Sequence, residues 1–144
     1  MQVGDYMVRD VTTLGEQAHL LEAVLLVRRS GIRHLPIVDA EGKPVGILTD
    51  RDIARVTPSM LAPMPVEKYN ELFETTDVTR AMSKDPIKVP PDMPIRQAVK
   101  LLHKEKIGAL LVVDEKGALI GLLTVTDMLG LLQVLLEEHD KRGS

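Results

Sequence analysis

Residues 35–52 read LPIVDAEGKPVGILTDRD, and residues 110–127 read LLVVDEKGALIGLLTVTD. The two stretches align without a gap at a constant offset of 75 positions (110 against 35). Each predicts a strand, a turn that begins with Asp and ends with Gly, and a return strand that leads into a helix. Such a repeat indicates one supersecondary unit present twice, and two units that bury their apolar faces together create two related clefts.

The repeat extends beyond these stretches. The alignment begins at Val3 and Val78, and each copy carries a helical pattern ahead of its first long strand. In the first copy that helix ends at Gly31, and in the second it covers about residues 95–106. Each copy therefore reads strand, helix, strand, strand, helix. This order predicts an α+β fold with two pseudo-symmetric β-α-β-β-α units, each built on a small α/β-type sheet.

The same patterns divide the chain into four segments. We expect a first unit over residues 1–57, a linker over 58–76, a second unit over 77–138 and a frayed tail over 139–144. Three prolines, Pro58, Pro63 and Pro65, exclude one continuous helix from the linker. A short helix still has room within residues 64–74.

Composition excludes several functional classes. The formal net charge is −3 and aromatic residues make up 2% of the chain, which counts against nucleic-acid binding through basic patches or stacking. The absence of cysteine excludes disulfides and thiol catalysis. The apolar runs are too short to span a bilayer and no signal peptide is apparent, so the expected location is the cytoplasm, away from membranes.

A Gly-x-x-Thr-x-x-Asp pattern occurs in both copies, at residues 46–52 and 121–127. In each copy a buried strand ends there and a helix begins, so free backbone N–H groups and a positive dipole end favour an anion. The Asp carboxylate has two oxygens that can accept from two sugar hydroxyls. In one copy alone, helix capping by the Thr would be the simpler interpretation. Identical placement in both copies favours a binding role.

The same residues carry a resemblance to a known family. The segments Arg33-His34-Leu35-Pro36-Ile37-Val38-Asp39 and Gly46-Ile47-Leu48-Thr49-Asp50-Arg51-Asp52 resemble the cystathionine-β-synthase (CBS) domain. The second copy keeps Leu111-Val112-Val113-Asp114 but has Gly108-Ala109 in place of Arg33-His34. The resemblance covers about residues 3–138 and implies a tandem CBS pair, or Bateman module, with its two units packed sheet to sheet.

The resemblance implies two sites for adenosine-containing ligands such as AMP, ADP, ATP or S-adenosylmethionine, each with Thr and Asp from one unit and adenine-lining residues from the other. Asp127 would hold the ribose hydroxyls of the first site, and Arg33 and His34 would meet phosphates. The first site would comprise Thr12, Ile32, Arg33, His34, Pro36, Thr124, Thr126 and Asp127. The second would comprise Thr49, Arg51, Asp52, Ile87, Ile107, Gly108, Ala109 and Leu111.

The two implied sites should differ in ligand preference. Arg is the better fixed fork for phosphate oxygens, so we expect the site with Arg33 and His34 to bind phosphorylated adenosine more tightly. In the second site Arg51 would be the cation. His34 could instead be a satisfied structural histidine. No metal cluster is predicted, and Mg²⁺ would arrive only with ATP, held mostly by phosphates and water.

The implied function is regulatory rather than enzymatic. Asp50 and Asp52 could be taken for a catalytic pair, but the second copy has Val125 at the first of these positions. The repeats leave no room for a catalytic domain, so ligand would act on an unidentified partner protein in trans. The leucine-rich last helix and the resemblance predict a homodimer. The alternative is a structural or dimerisation module with vestigial ligand sites.

Overall fold

The computed structural model describes residues 1–57 and 64–143. This part of the chain contains seven strands and seven helices. The strands are β1 (Leu14–Gly15), β2 (His34–Val38), β3 (Pro44–Thr49), β4 (Ser83–Lys84), β5 (Lys88–Val89), β6 (Ala109–Val113) and β7 (Leu119–Thr124). The helices are α1 (Val3–Tyr6), α2 (Leu20–Ser30), α3 (Asp50–Val56), α4 (Val66–Thr75), α5 (Val78–Ala81), α6 (Ile95–Glu105) and α7 (Val125–Gly143).

The chain forms two compact units. We call residues Thr12–Pro86 the central unit, and Met1–Val11 together with Ile87–Ser144 the terminal unit. The central unit holds a four-stranded sheet in the order β1-β2-β3-β4. The terminal unit holds a three-stranded sheet in the order β5-β6-β7. The predicted α+β fold with two small mixed sheets is therefore confirmed.

The hairpin of each unit follows the predicted order of strand, turn and return strand. In the central unit β2 and β3 are antiparallel, with His34 opposite Thr49. In the terminal unit β6 and β7 are antiparallel, with Ala109 opposite Thr124. Alternate residues of β3 are buried, as a strand with one core-facing side requires. In each hairpin, the last residue of the return strand therefore lies beside the first residue of the other strand.

Apolar side chains from the sheet and its helices form one core in each unit. The central core contains Leu20, Ala23, Leu35, Ile37, Leu48, Val78 and Ala81. The terminal core contains Val3, Met7, Val89, Ile95, Ala98, Leu102, Leu110, Val112, Leu123 and Met128. With hardly any aromatic residue available, both cores consist almost wholly of aliphatic side chains and Met, as the composition predicts.

The short opening segment of each repeat joins the sheet of the other repeat. Val3 belongs to the first repeat but lies in the terminal core, whereas Val78 of the second repeat lies in the central core. Val8 pairs with Leu122 in an isolated bridge, and Ser83 pairs with Ile47 in the β3–β4 ladder. The compact units are therefore not the same sets of residues as the sequence repeats. Helices α1 and α5 belong to the opening segments that the two repeats exchange in this way, and they were not predicted from the sequence.

Each exchanged opening segment packs closely against a glycine in the sheet that it joins. A Cβ added at Gly121 would overlap the Sδ of Met7, and one added at Gly46 would overlap the Sδ of Met82. Both glycines are buried in the middle of a return strand. The missing side chain makes room for a methionine that comes from the other repeat.

Two segments bear on the predicted boundaries. Helix α4 falls where the sequence left room for a short helix, whereas the linker residues 58–63, including Pro58 and Pro63, lie outside the described residues. Helix α7 continues through residues 139–143, where the sequence predicted a frayed tail. Glu137 and Glu138 lie four positions before Lys141 and Arg142, a spacing that stabilises an exposed helix.

Candidate functional site

Thr49 and Asp52 join the end of β3 to the start of α3 through a reciprocal capping arrangement. Asp52 Oδ2 accepts hydrogen bonds from the Thr49 amide at 2.8 Å and from the Thr49 hydroxyl at 3.0 Å. The Thr49 hydroxyl in turn accepts from the Asp52 amide at 3.2 Å. This is a capping box, in which the first turn of the helix has its free donors satisfied by side chains.

Thr124 and Asp127 repeat this arrangement where β7 leads into α7. Asp127 Oδ2 accepts from the Thr124 amide at 2.9 Å and from its hydroxyl at 2.8 Å. The Asp127 amide donates to the Thr124 hydroxyl at 3.1 Å. The capping interpretation of the motif is thus confirmed in both copies. Capping uses only one carboxylate oxygen, so a binding role depends on the other oxygen, Oδ1.

The Oδ1 atoms of the two aspartates have different surroundings. Ser83 Oγ lies 3.5 Å from Asp52 Oδ1, and Arg55 Nη1 lies 3.6 Å from the same oxygen. Asp52 as a whole is only 3% exposed. Asp127 is more exposed, and across residues 1–57 and 64–143 no donor or cation lies against its Oδ1. The Asp carboxylates of the two motifs therefore differ in burial and in the partners of their Oδ1 atoms.

His34 is the first residue of β2 in the central sheet, and Arg33 directly precedes it. His34 is directly opposite Thr49 in the β2–β3 ladder. Burial lowers the pKa of His34 below its ordinary value; the Asp50 carboxylate opposes that shift and the Arg33 guanidinium adds to it. His34 is therefore mainly neutral near pH 7, and the exposed Arg33 is the permanent cation at this end of β2.

The equivalent place in the terminal unit carries no charge. Ala109 lies opposite Thr124 in the β6–β7 ladder, and the Val125 amide donates to the Gly108 carbonyl at 2.9 Å. This hydrogen bond ties the segment before β6 to the start of α7. Ile87 and Ile107 are partly buried against the terminal core. Gly108 and Ala109 therefore offer apolar surface and backbone groups where the central unit has Arg33 and His34.

The remaining predicted residues fall into two groups. Thr12, Arg51 and Thr126 are exposed. Pro36 and Leu111 are fully buried, and Ile32 packs against the central core. Each predicted site takes residues from both compact units, so its assembly stays a prediction. What the structure brings together is, in each unit, the start of the middle strand and the capping box.

In residues 1–57 and 64–143, histidine and carboxylate side chains form no metal site. His19 Nε2 lies 3.6 Å from Asp77 Oδ1 in an exposed pair near the start of α2. Within the described residues, no group of three or more His, Asp or Glu side chains could hold a metal ion. No helix in that part of the chain is long and apolar enough to cross a membrane.

An apolar groove runs between α6 and α7 of the terminal unit, with a volume of about 590 Å³. Val99 and Leu102 lie on one wall, and Leu129, Leu132 and Leu135 lie on the other. Leu129 is 59% exposed and Leu132 is 49% exposed. The leucine-rich last helix is thus not fully used by the core.

Sequence reasoning missed two residues next to the motif. Arg55 lies one helical turn after Asp52, a spacing that could have identified it. Ser83 is 31 residues from Asp52 and belongs to the other repeat, so nothing in the sequence places it there.

Comparison with known protein families supports the resemblance. The family model described as the CBS domain matches residues 3–59 and 76–134. A CBS domain-containing protein of Dictyostelium discoideum is 33% identical over 135 residues, which cover 94% of this chain and 93% of that protein. By contrast, the chain spans only 25% of the homoserine O-acetyltransferase of Methanohalophilus mahii, to which it is 31% identical.

Solved structures show the same fold. A protein assigned to acetoin utilization (AcuB) from Vibrio cholerae matches with a TM-score of 0.78 and 30% identity, covering 98% of this chain and 96% of that one. The CBS domain pair of protein MJ0100, in complex with 5′-methylthioadenosine and S-adenosylmethionine, matches with a TM-score of 0.75 and 26% identity, covering 92% and 96%. CBSX2 in complex with AMP matches with a TM-score of 0.74 and 25% identity, covering 92% and 97%.

Proposed function

Because the chain belongs to the CBS domain family and carries the domain twice, we propose that it is a regulatory module that binds an adenosine-containing ligand. The ligand class is AMP, ADP, ATP or S-adenosylmethionine, with Mg²⁺ accompanying ATP. Relatives with the same fold were crystallised with AMP and with S-adenosylmethionine. The proposed role is non-catalytic, since the Asp50–Asp52 pair has no accompanying nucleophile and Asp52 is engaged in a capping box.

The observation that carries this proposal is the carboxylate of Asp127 at the start of α7. Its Oδ2 is fixed by Thr124, and its Oδ1 remains available among the described residues. A fixed carboxylate with a free oxygen is suited to accept a ribose hydroxyl. The helix start next to it supplies a positive dipole end for a negatively charged ligand group.

The phosphate end of the ligand is proposed to lie at Arg33 and His34. Arg33 is exposed and always charged, so it is available to a phosphate group. His34 is half-buried with a lowered pKa, so it serves as a neutral hydrogen-bonding group near pH 7. Apolar contact with adenine is assigned to Ile32, which is partly buried, rather than to Pro36, which is fully buried.

We expect ligand to raise the melting temperature of the protein. A ligand present at 100 times its Kd stabilises the folded state by about 2.7 kcal/mol, which corresponds to about 5–10 °C for a chain of this size. The measurement is differential scanning fluorimetry with AMP, ADP, ATP and S-adenosylmethionine, and GMP is the control for base recognition. Asp127→Ala should remove the shift. Equal melting temperatures with and without every adenosine ligand would contradict the proposal.

We expect Arg33→Ala to weaken AMP binding about tenfold and to leave adenosine binding unchanged. The phosphate is the anionic group of AMP with which the guanidinium would pair, and adenosine lacks it; a charge-assisted contact of this kind contributes about 1.5 kcal/mol or more. Isothermal titration of both ligands measures the difference. Arg29→Ala, at the exposed end of α2, is the matched control for loss of one positive charge. An unchanged AMP affinity would place the phosphate elsewhere.

Regulation would follow from a population shift. A ligand that binds one arrangement of the protein more tightly favours that arrangement, by an amount equal to its differential affinity. The chain would transmit this change to a partner protein in trans and would act as a homodimer.

A second candidate function is a structural or dimerisation module with vestigial ligand sites. The exposed leucines of α7 favour it, because apolar groups concentrated on one helix face are typical of a contact surface. The thermal titration separates the two functions. No ligand shift, combined with self-association that Leu132→Glu abolishes in analytical ultracentrifugation, would favour the structural role.

A further inference from the structure

We propose that this protein binds one adenosine ligand per chain, because Arg55 and Ser83 close the carboxylate of Asp52 while Asp127 stays open. The inference rests on the proposed function and assigns its ribose site to one of the two Thr–Asp motifs. It also gives Arg55 and Ser83 a role as residues that determine how many sites are used.

Both carboxylate oxygens of Asp52 already have partners within the central unit. Oδ2 takes both hydrogen bonds of the capping box from Thr49. Oδ1 has the Ser83 hydroxyl at 3.5 Å and the Arg55 guanidinium at 3.6 Å. Asp52 is only 3% exposed, so a sugar hydroxyl at Oδ1 would compete with the Ser83 hydroxyl and with the guanidinium of Arg55, whose side chain is itself 73% exposed. Leaving that buried carboxylate without these partners would itself be unfavourable.

The open state of Asp127 follows from the residues at the matching positions of the repeat. The position equivalent to Arg55 is Gly130, and the position equivalent to Ser83 is Val8, each at the offset of 75 residues (130 against 55, 83 against 8). A Cβ added at Gly130 would meet no atom within 4 Å, so the space that a side chain would use is open. Val8 pairs with Leu122 as Ser83 pairs with Ile47, but it has no hydrogen-bond donor in its side chain.

Charge around the two motifs supports the same assignment. The central capping box has Arg55 against its carboxylate, so the negative charge of Asp52 is already paired. In the terminal unit, the Oδ1 oxygen of Asp127 has no hydrogen-bond or ion-pair partner among the described residues. A ribose brings hydroxyl donors and needs an acceptor that is not already in use.

Isothermal titration with AMP and, separately, with S-adenosylmethionine tests the inference on the full chain. We expect one site per chain in the unmodified protein, one site in Asp52→Asn, and none in Asp127→Asn. In the double variant Arg55→Ala/Ser83→Val we expect two sites, because both groups that occupy Oδ1 are removed. Circular dichroism melting of each variant checks that it is folded.

The reverse substitutions provide the matched control. Gly130→Arg/Val8→Ser places the closing groups beside Asp127 and should weaken ligand binding at least tenfold, although neither residue belongs to the binding machinery. Two equal sites in the unmodified protein would overturn the inference and leave the proposed function intact. A single site in Arg55→Ala/Ser83→Val would also overturn it. No binding of any adenosine ligand to the unmodified protein would overturn both.

Discussion

Deletion of residues 1–11 is expected to unfold the terminal unit, although it removes nothing from the second repeat of the sequence. The deleted segment contributes Val3, which is fully buried, and Met7, which is 8% exposed. Its backbone is also paired with the unit: the Val3 amide donates to Met93 at 2.9 Å, and Val8 exchanges hydrogen bonds with Leu122 at 2.8 and 2.9 Å. Removing two buried apolar side chains alone costs about 4–8 kcal/mol, which approaches the whole stability of a typical domain.

Hydrogen exchange measured by mass spectrometry checks this result. We expect the amides of β6 and β7 to lose their protection in the deleted chain. A point variant, Val3→Asp, should act in the same direction because it buries an unpaired charge. Val8→Asp is the matched control, since Val8 is 44% exposed. Full protection of β7 in the deleted chain would show that the exchanged segment is dispensable.

Substitution of Gly121 by Val is expected to destabilise the protein by about 3 kcal/mol. Val is normally favourable in a strand, so the loss would come from overlap with neighbouring atoms, of which those of Met7 are the nearest. The added Cβ would meet the Sδ of Met7 and would lie 2.9 Å from its Cγ. Because the three nearest atoms all belong to the Met7 side chain, Met7→Ala in the same chain should recover part of the lost stability.

Urea denaturation of the two single variants and the double variant measures this coupling. A double-mutant cycle isolates the interaction between the two positions. Gly130→Ala is the control glycine substitution: it lies in a helix with open space around it and should stabilise the protein by up to about 1 kcal/mol. Purely additive effects of Gly121→Val and Met7→Ala would show that the overlap is relieved in another way.

Much of the fold could be predicted from local patterns. The hairpins follow from strand runs separated by Asp-x-x-Gly turns, and Asp39 Oδ1 accepts from the Glu41 and Lys43 amides as such a turn requires. Gly31 has a positive φ of 66° and ends α2 as predicted. These features depend on neighbours within a few residues, so the sequence contains all the information needed for them.

The exchange of opening segments could not be predicted in the same way. Val3 and Val78 occupy equivalent positions of the two repeats, and the choice between two similar sheets is made by tertiary packing. Local propensity is equal for both choices. The two glycines at positions 46 and 121 gave the one available signal, since a glycine inside a strand often marks a close approach of another segment.

The candidate site was predicted in type but not in detail. Both Thr–Asp motifs form the capping geometry that their spacing indicates. The difference between Asp52 and Asp127 depends on Ser83, which the sequence places in the other repeat. Identical motifs can therefore have different chemistry when their surroundings come from distant parts of the chain.

The crossing of the opening segments has a consequence for genetic dissection of this protein. A chain cut between Thr57 and Met64 gives two pieces, and each piece carries a strand or bridge that completes the sheet made by the other piece. Neither half of the coding sequence then specifies a finished sheet. The two halves are suited to fragment complementation, in which separately expressed pieces recover a folded protein only after they associate.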